Sequence, residues 1–135
     1  MKNRFNIVAL LLLVLTLAAC GGGKAGTDEF SVVSTEPANN ATGVAVNSAI
    51  QVTISANIPL ENITPEKITL LDLVSGLGVE GEVTVEGNKV IFMPSNPLRS
   101  NFDYKLEIAN DFSSNVNEQF VRDFTLEFKT AIGND

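Results

Sequence analysis

Beyond residue 30 of this 135-residue chain, apolar side chains recur at every second position, and that period constrains the fold more than any other feature. Ile50, Val52 and Ile54 alternate with Gln51, Thr53 and Ser55. Tyr104, Leu106 and Ile108 alternate with Lys105 and Glu107, and Phe124, Leu126 and Phe128 with Thr125, Glu127 and Lys129. Val79, Gly81, Val83 and Val85 alternate with Glu80, Glu82, Thr84 and Glu86. Gly87-Asn88 then predicts a two-residue hairpin turn into a strand that offers Val90 and Phe92 to one face and Lys89 and Ile91 to the other. Ile68-Thr69-Leu70 is a shorter run of the same kind, and Phe30 to Ser34 is the expected first strand. No helical period persists after residue 20; Thr64-Pro65-Glu66 gives at most one helical turn.

About seven strands with one apolar and one polar face cannot each stay half-wet, so the pattern predicts an all-β, antiparallel sandwich. Residues 30–132 suffice for one core and are too few for two.

The first 30 residues differ in kind. Lys2 and Arg4 precede an apolar stretch from Ile7 to Leu17, and small Ala18 and Ala19 follow. The stretch is about eleven residues, against the ~20 needed to span a bilayer. Leu17-Ala18-Ala19-Cys20 closes it with the chain's only cysteine, and the whole resembles the signal peptide and lipobox of bacterial lipoproteins. The resemblance implies cleavage between Ala19 and Cys20, a thioether lipid on the Cys20 sulfur and an acyl group on its new amine. Two or more chains anchor stably where one does not. Gly21-Gly22-Gly23 and the small polar residues to Glu29 read as a flexible tether of roughly 15–18 Å. The expected layout is therefore a signal peptide at 1–19, a lipidated cysteine and tether at 20–29, and a folded domain at 30–132. Gly21 stands where an inner-membrane retention aspartate would, so the resemblance favours the outer membrane of the cell envelope.

Val33 to Val44 (Val-Ser-Thr-Glu-Pro-Ala-Asn-Asn-Ala-Thr-Gly-Val), followed by Asn47 and the Ile50-Val52-Ile54 strand, resembles the opening of bacterial Ig-like domains of the SbsA type, the Big_5 family. Ile63-Thr64-Pro65-Glu66, Phe92-Met93-Pro94, Asn96-Pro97-Leu98, Tyr104 and the closing Phe128-Lys129-Thr130 fit the same pattern. The resemblance covers nearly all of residues 31–131 and implies an Ig-like sandwich. Asp111 and Asn115 match a family loop, but Ser114 stands where that loop carries glycine. Tyr104, at the head of its strand, is placed to bond its hydroxyl to upstream backbone as tyrosine corners do.

Chemistry is scarce. Histidine and tryptophan are absent, so His-based triads and His/Cys metal sites are excluded. Losing Lys2 and Arg4 with the signal leaves seven of nine basic residues against 16 acidic, a net charge of −9 and no footprint for nucleic acid. Asp111, Asn115, Asn117 and Glu118 gather oxygen donors in one loop, but their spacing matches no calcium loop and favours a solvated turn. Glu80, Glu82 and Glu86 share one face of an expected single strand; such a row is more often a guard against aggregation than a catalytic pair. Phe102, Phe112 and Phe120 fall in connections and are candidates for exposure. The apolar Leu71 to Gly78 connection is expected to tuck over the sandwich end, the alternative being an exposed contact patch. Together these features predict a non-enzymatic, lipid-anchored envelope module without cofactor, acting on an unknown envelope protein through a strand edge or end loops. The alternative is a calcium or ligand binder using residues 111–118.

Overall fold

The computed structural model describes residues 31–55, 63–112 and 123–133, and they form nine strands in two sheets. The first sheet has the order β1 (Val32–Glu36), β3 (Ile50–Ile54), β7 (Lys89–Pro94), β6 (Gly81–Glu86). The second runs β2 (Ala41–Val44), β9 (Phe124–Thr130), β8 (Asp103–Ile108), β4 (Ile68–Asp72), β5 (Gly78–Val79). One 3-10 turn, Pro65–Lys67, leads into β4 and takes the place of the expected helical turn.

The period-two residues make the core. Ile50, Val52, Ile54, Val90 and Phe92 face inward from the first sheet, and Ile68, Leu70, Tyr104, Leu106, Ile108, Leu126 and Phe128 from the second. Leu98 and Phe112 close it from connections. The Tyr104 and Phe128 rings stack across the β8–β9 pair with centroids 5.8 Å apart. Gly87-Asn88 does turn β6 into β7, with Gly87 at φ 62°, a value that glycine takes without strain. The turn is locked sideways: the Asn88 side chain donates to the Ile54 carbonyl at 2.9 Å, and the Ile54 N–H donates to the Asn88 carbonyl at 2.8 Å.

Several expectations need correction. Nine strands replace about seven, and the sandwich is not wholly antiparallel, because β2 pairs with β9 in parallel. The chain leaving β1 crosses to the other sheet through Pro37 to Asn40. There the Asn40 N–H donates to the Glu127 carbonyl at 2.7 Å and the Glu127 N–H to the Asn39 side chain at 2.9 Å. The first strand is Val32–Glu36, with Val33 thrown outward by a register shift against β3; Phe30 lies outside the described residues. The run from Val79 to Val85 is two strands, not one. Glu80 is the crossing point between sheets, so it shares no strand with Glu82 and Glu86. Phe112 is fully buried and Phe102 half-buried; Phe120 lies outside the described residues.

Gly81 follows that crossing. A Cβ there would meet the Phe92 ring at 2.5 Å and the Met93 carbonyl at 2.6 Å, so glycine alone lets Phe92 lie against the backbone. Gly81→Ala is expected to cost about 1–3 kcal/mol by overpacking. Urea unfolding should show a lower midpoint at unchanged slope.

Candidate functional site

The hydrogen bonds sort the molecule into two ends. The chain enters at one of them: the Ser31 N–H donates to the Ser55 hydroxyl at 3.1 Å, and Val32 pairs with Ile54 beside the Gly87-Asn88 turn. At the opposite end β4, β7 and β9 finish and β8 begins. There the polar groups are interlocked. The backbone N–H of Arg99 donates to the Tyr104 hydroxyl at 2.9 Å, which is the tyrosine corner expected from sequence. The buried Thr130 hydroxyl accepts from the Phe102 N–H at 3.0 Å and donates to the Arg99 carbonyl at 2.6 Å. The Arg99 guanidinium lies 5.3 Å from the centre of the Phe102 ring.

Out of this end stands the β4–β5 hairpin, whose foot is Asp72. That carboxylate is buried, and its Oδ1 accepts the N–H groups of Val74 at 2.8 Å and Ser75 at 3.1 Å. Its other oxygen sits 3.9 Å from Arg99 Nη1. Gly76 N–H to the Asp72 carbonyl, Asp72 N–H to the Leu77 carbonyl and Leu73 N–H to the Asp103 carbonyl complete a fully bonded turn. Burial pushes the Asp72 carboxyl upward, but the bonds from Ser75 and Val74 and the Arg99 charge outweigh it and hold the carboxyl below its ordinary value. The Tyr104 phenol is displaced upward, mainly by burial and also by the nearby Asp72 charge, against the pull of the Arg99 hydrogen bond.

The turn so tightly tied down displays grease. Leu73, Val74 and Leu77 are 43%, 67% and 68% exposed. The connection therefore does not tuck over the sandwich end, as the first of the two sequence readings had it; it is the exposed patch. The side chains cannot fold back, because the interior behind them is already filled by Tyr104, Leu98 and Phe128. Two shallow hollows adjoin the ridge. One, of about 370 Å³, lies between Leu73, Val74 and the Asn40–Thr42 and Glu127–Lys129 segments. The other, of about 280 Å³, lies between Leu77 and the Asn96–Arg99 turn.

The other candidates separate. Asp111 is tied to Lys67, Nζ to Oδ2 at 3.0 Å. Asn115, Asn117 and Glu118 lie outside the described residues, as do Ala19 and Cys20. Among the described residues no group of three His, Cys, Asp or Glu side chains could hold a metal ion. What sequence reasoning missed is Asp72. An aspartate two and three residues before the amides it accepts is an Asx-turn signature, and Asp72-Leu73-Val74-Ser75 carries it.

A depressed carboxyl stabilises the folded chain fully above its unfolded pKa, near 3.8, and loses that contribution as pH falls through the lower folded value. Asp72→Asn is therefore expected to be less stable than wild type at neutral pH. The gap should close on acidification below about pH 4, read as urea midpoints against pH.

No curated protein sequence matches the chain. Among solved structures, the N-terminal part of the bacterial S-layer protein SbsC superposes with a TM-score of 0.55 at 14% identity, over 76% of this chain and 24% of that one. CopC from Methylosinus trichosporium OB3b superposes at 0.57 and 13% identity, over 78% of this chain and 97% of that one. The LD transpeptidase LdtMt1, solved in complex with imipenem, superposes at 0.52 and 19% identity, over 75% and 39%. The chain thus spans about a quarter of the S-layer fragment, and likenesses this distant speak for the fold alone. The family model for the bacterial Ig-like domain, Big_5, matches residues 26–130 and agrees with the two-sheet sandwich and its tyrosine corner, so the chain belongs to the bacterial Ig-like domain family.

Proposed function

We propose that the protein is a non-enzymatic, lipid-anchored module of the bacterial cell envelope, held to a membrane at Cys20 and working by contact with another protein. The observation that carries the contact role is the β4–β5 ridge. Asp72 spends its hydrogen bonds on fixing a turn whose displayed side chains are Leu73, Val74 and Leu77. A solvated turn needs no such residues; a preorganised apolar ridge loses less entropy on docking than a loose one.

The layout supports the same reading. The described residues begin at Ser31, beside Ser55 and the Gly87-Asn88 turn, whereas the ridge is at the far end. A tether from Cys20 through Gly21-Gly22-Gly23 would join the near end and present the ridge away from the bilayer. Apolar side chains aimed away from the lipid suit a protein partner better than insertion into the membrane that holds the anchor. The chain's net charge is −7, so no basic surface draws it to anionic headgroups. Membership of the bacterial Ig-like family and the likeness to an S-layer protein support an envelope setting. Gly21 after the cysteine favours the outer membrane. A non-enzymatic role is supported by composition: histidine is absent and the single thiol is the one to be lipidated. The calcium reading through residues 111–118 has less to stand on, since a cation at Asp111 would compete with Lys67.

Cells fed labelled palmitate should incorporate it into the wild-type protein. Cys20→Ser should carry no label and keep residues 1–19, as intact mass would show; an unlabelled wild type would refute the anchor. In detergent extracts, crosslinking should capture a partner with the wild type, and Leu73→Asp with Leu77→Asp should lose about nine-tenths of it at unchanged fold. Equal capture by both would refute the ridge as the contact surface.

A further inference from the structure

The flank of the sandwich carries a second surface. β6 is the edge of the first sheet, paired with β7 over six consecutive residues from Gly81–Pro94 to Glu86–Lys89 without a register break. Among the described residues no strand neighbours its outer side, so its backbone groups there are open to a further one. Across from it, β5 pairs with Leu70 and Leu71 of β4, and no described strand pairs with Ile68 and Thr69 on that side. Between the two edges runs a groove of about 540 Å³, with Ile68, Leu70, Val79, Val83 and Phe92 among its walls.

Charge says what would fit. Lys67, Arg99, Lys105 and Lys129 each have a carboxylate within ion-pair distance, at Asp111, Asp72, Glu107 and Asp103. Glu107 even holds the Lys105 ammonium above its ordinary pKa, chiefly through their hydrogen bond. Glu82 and Glu86 are exposed on the outward face of β6 and form no ion pair among the described residues: Met93 stands opposite Glu82 on β7, and Lys89 stands opposite Glu86 without closing to ion-pair distance. A second copy is a poor occupant, because antiparallel β6 against β6 centred on Thr84 would set Glu82 opposite Glu86, like charge on like.

We infer that the β6 edge is a docking strand for a basic amphipathic segment of another protein. That segment would be an extended strand whose Lys or Arg side chains alternate with apolar ones. Backbone hydrogen bonds to β6 would supply affinity, the cationic side chains would meet Glu82 and Glu86, and the apolar ones would enter the groove above Val83.

The test uses the full chain in detergent and a fluorescent eight-residue peptide of alternating Lys and Val, read by anisotropy. It is expected to bind, to bind about tenfold or more weakly to Glu82→Lys with Glu86→Lys, and to keep its affinity for Leu73→Asp with Leu77→Asp. The last comparison separates this surface from the ridge. Its Glu-Val counterpart and a form N-methylated at alternate amides should not bind. Absence of binding by the Lys-Val peptide, or equal binding by either control, would overturn the inference. So would Thr84→Cys chains that oxidise to dimers through β6, since that outcome makes a second copy the occupant.

Discussion

Each sheet has one face that cannot be left in water, and the other sheet is the only thing large enough to cover it. That mutual need sets the rest of the architecture. Ile50, Val52, Ile54, Val90 and Phe92 on one side and Leu70, Tyr104, Leu106, Ile108, Leu126 and Phe128 on the other are almost fully dehydrated. At about 25 cal/mol per Å² of apolar surface this burial is the main force opposing chain entropy. To keep both layers complete, the chain must change sheets, and it does so where a side chain would obstruct it least. Glu80 carries it from β5 to β6, and Gly81 leaves room for the Phe92 ring just beyond the crossing.

A core so apolar pushes its polar requirements to the ends. Asp72 and Thr130 are the buried polar residues of the described chain, and both sit at the end remote from Ser31. Each is satisfied by backbone: Asp72 by two amides of its own turn, Thr130 by Phe102 and Arg99. No buried side-chain nitrogen or oxygen among the described residues lacks a partner. Together with the Tyr104–Arg99 bond they make that end rigid by hydrogen bonding, where the strands alone would fray.

Much of this was readable beforehand because it is local. Alternation names the inward residues of β3, β7, β8 and β9 one by one, Gly87-Asn88 names its own turn, and Tyr104 names its corner. The strand change at Glu80 was not, since crossing between sheets leaves the period of two undisturbed and Val79 and Val83 both still face the core. Nor was the parallel pairing of β2, because Ala41-Thr42-Gly43-Val44 is too short and too mixed to show a face, and its place depends on Asn39 and Asn40 meeting Glu127 far along the chain. Phe112, a candidate for exposure in sequence, is buried for the same reason: burial in a connection is decided by what folds against it, here the Thr64 turn, whose N–H donates to the Phe112 carbonyl at 2.7 Å. The exposure of Leu73, Val74 and Leu77 turned on Asp72, whose acceptor role is legible in sequence only once a turn is assumed there.

What distinguishes the two surfaces of the molecule is the reason each is unfinished. The ridge is apolar although its backbone N–H groups are bonded, so its exposed side chains are the anomaly. The β6 edge is the reverse: its outward side chains, Glu82, Thr84 and Glu86, suit water, and its open backbone is the anomaly. Removing an apolar side chain from water is worth the same against any greasy partner, so the ridge can supply affinity with little selectivity. A strand edge guarded by Glu82 and Glu86 works the other way, refusing its own copy and other acidic strands while leaving basic ones an opening. In the proposed role, the permissive surface at the far tip would first catch a partner by its apolar face, and the selective one along the flank would then sort it by charge.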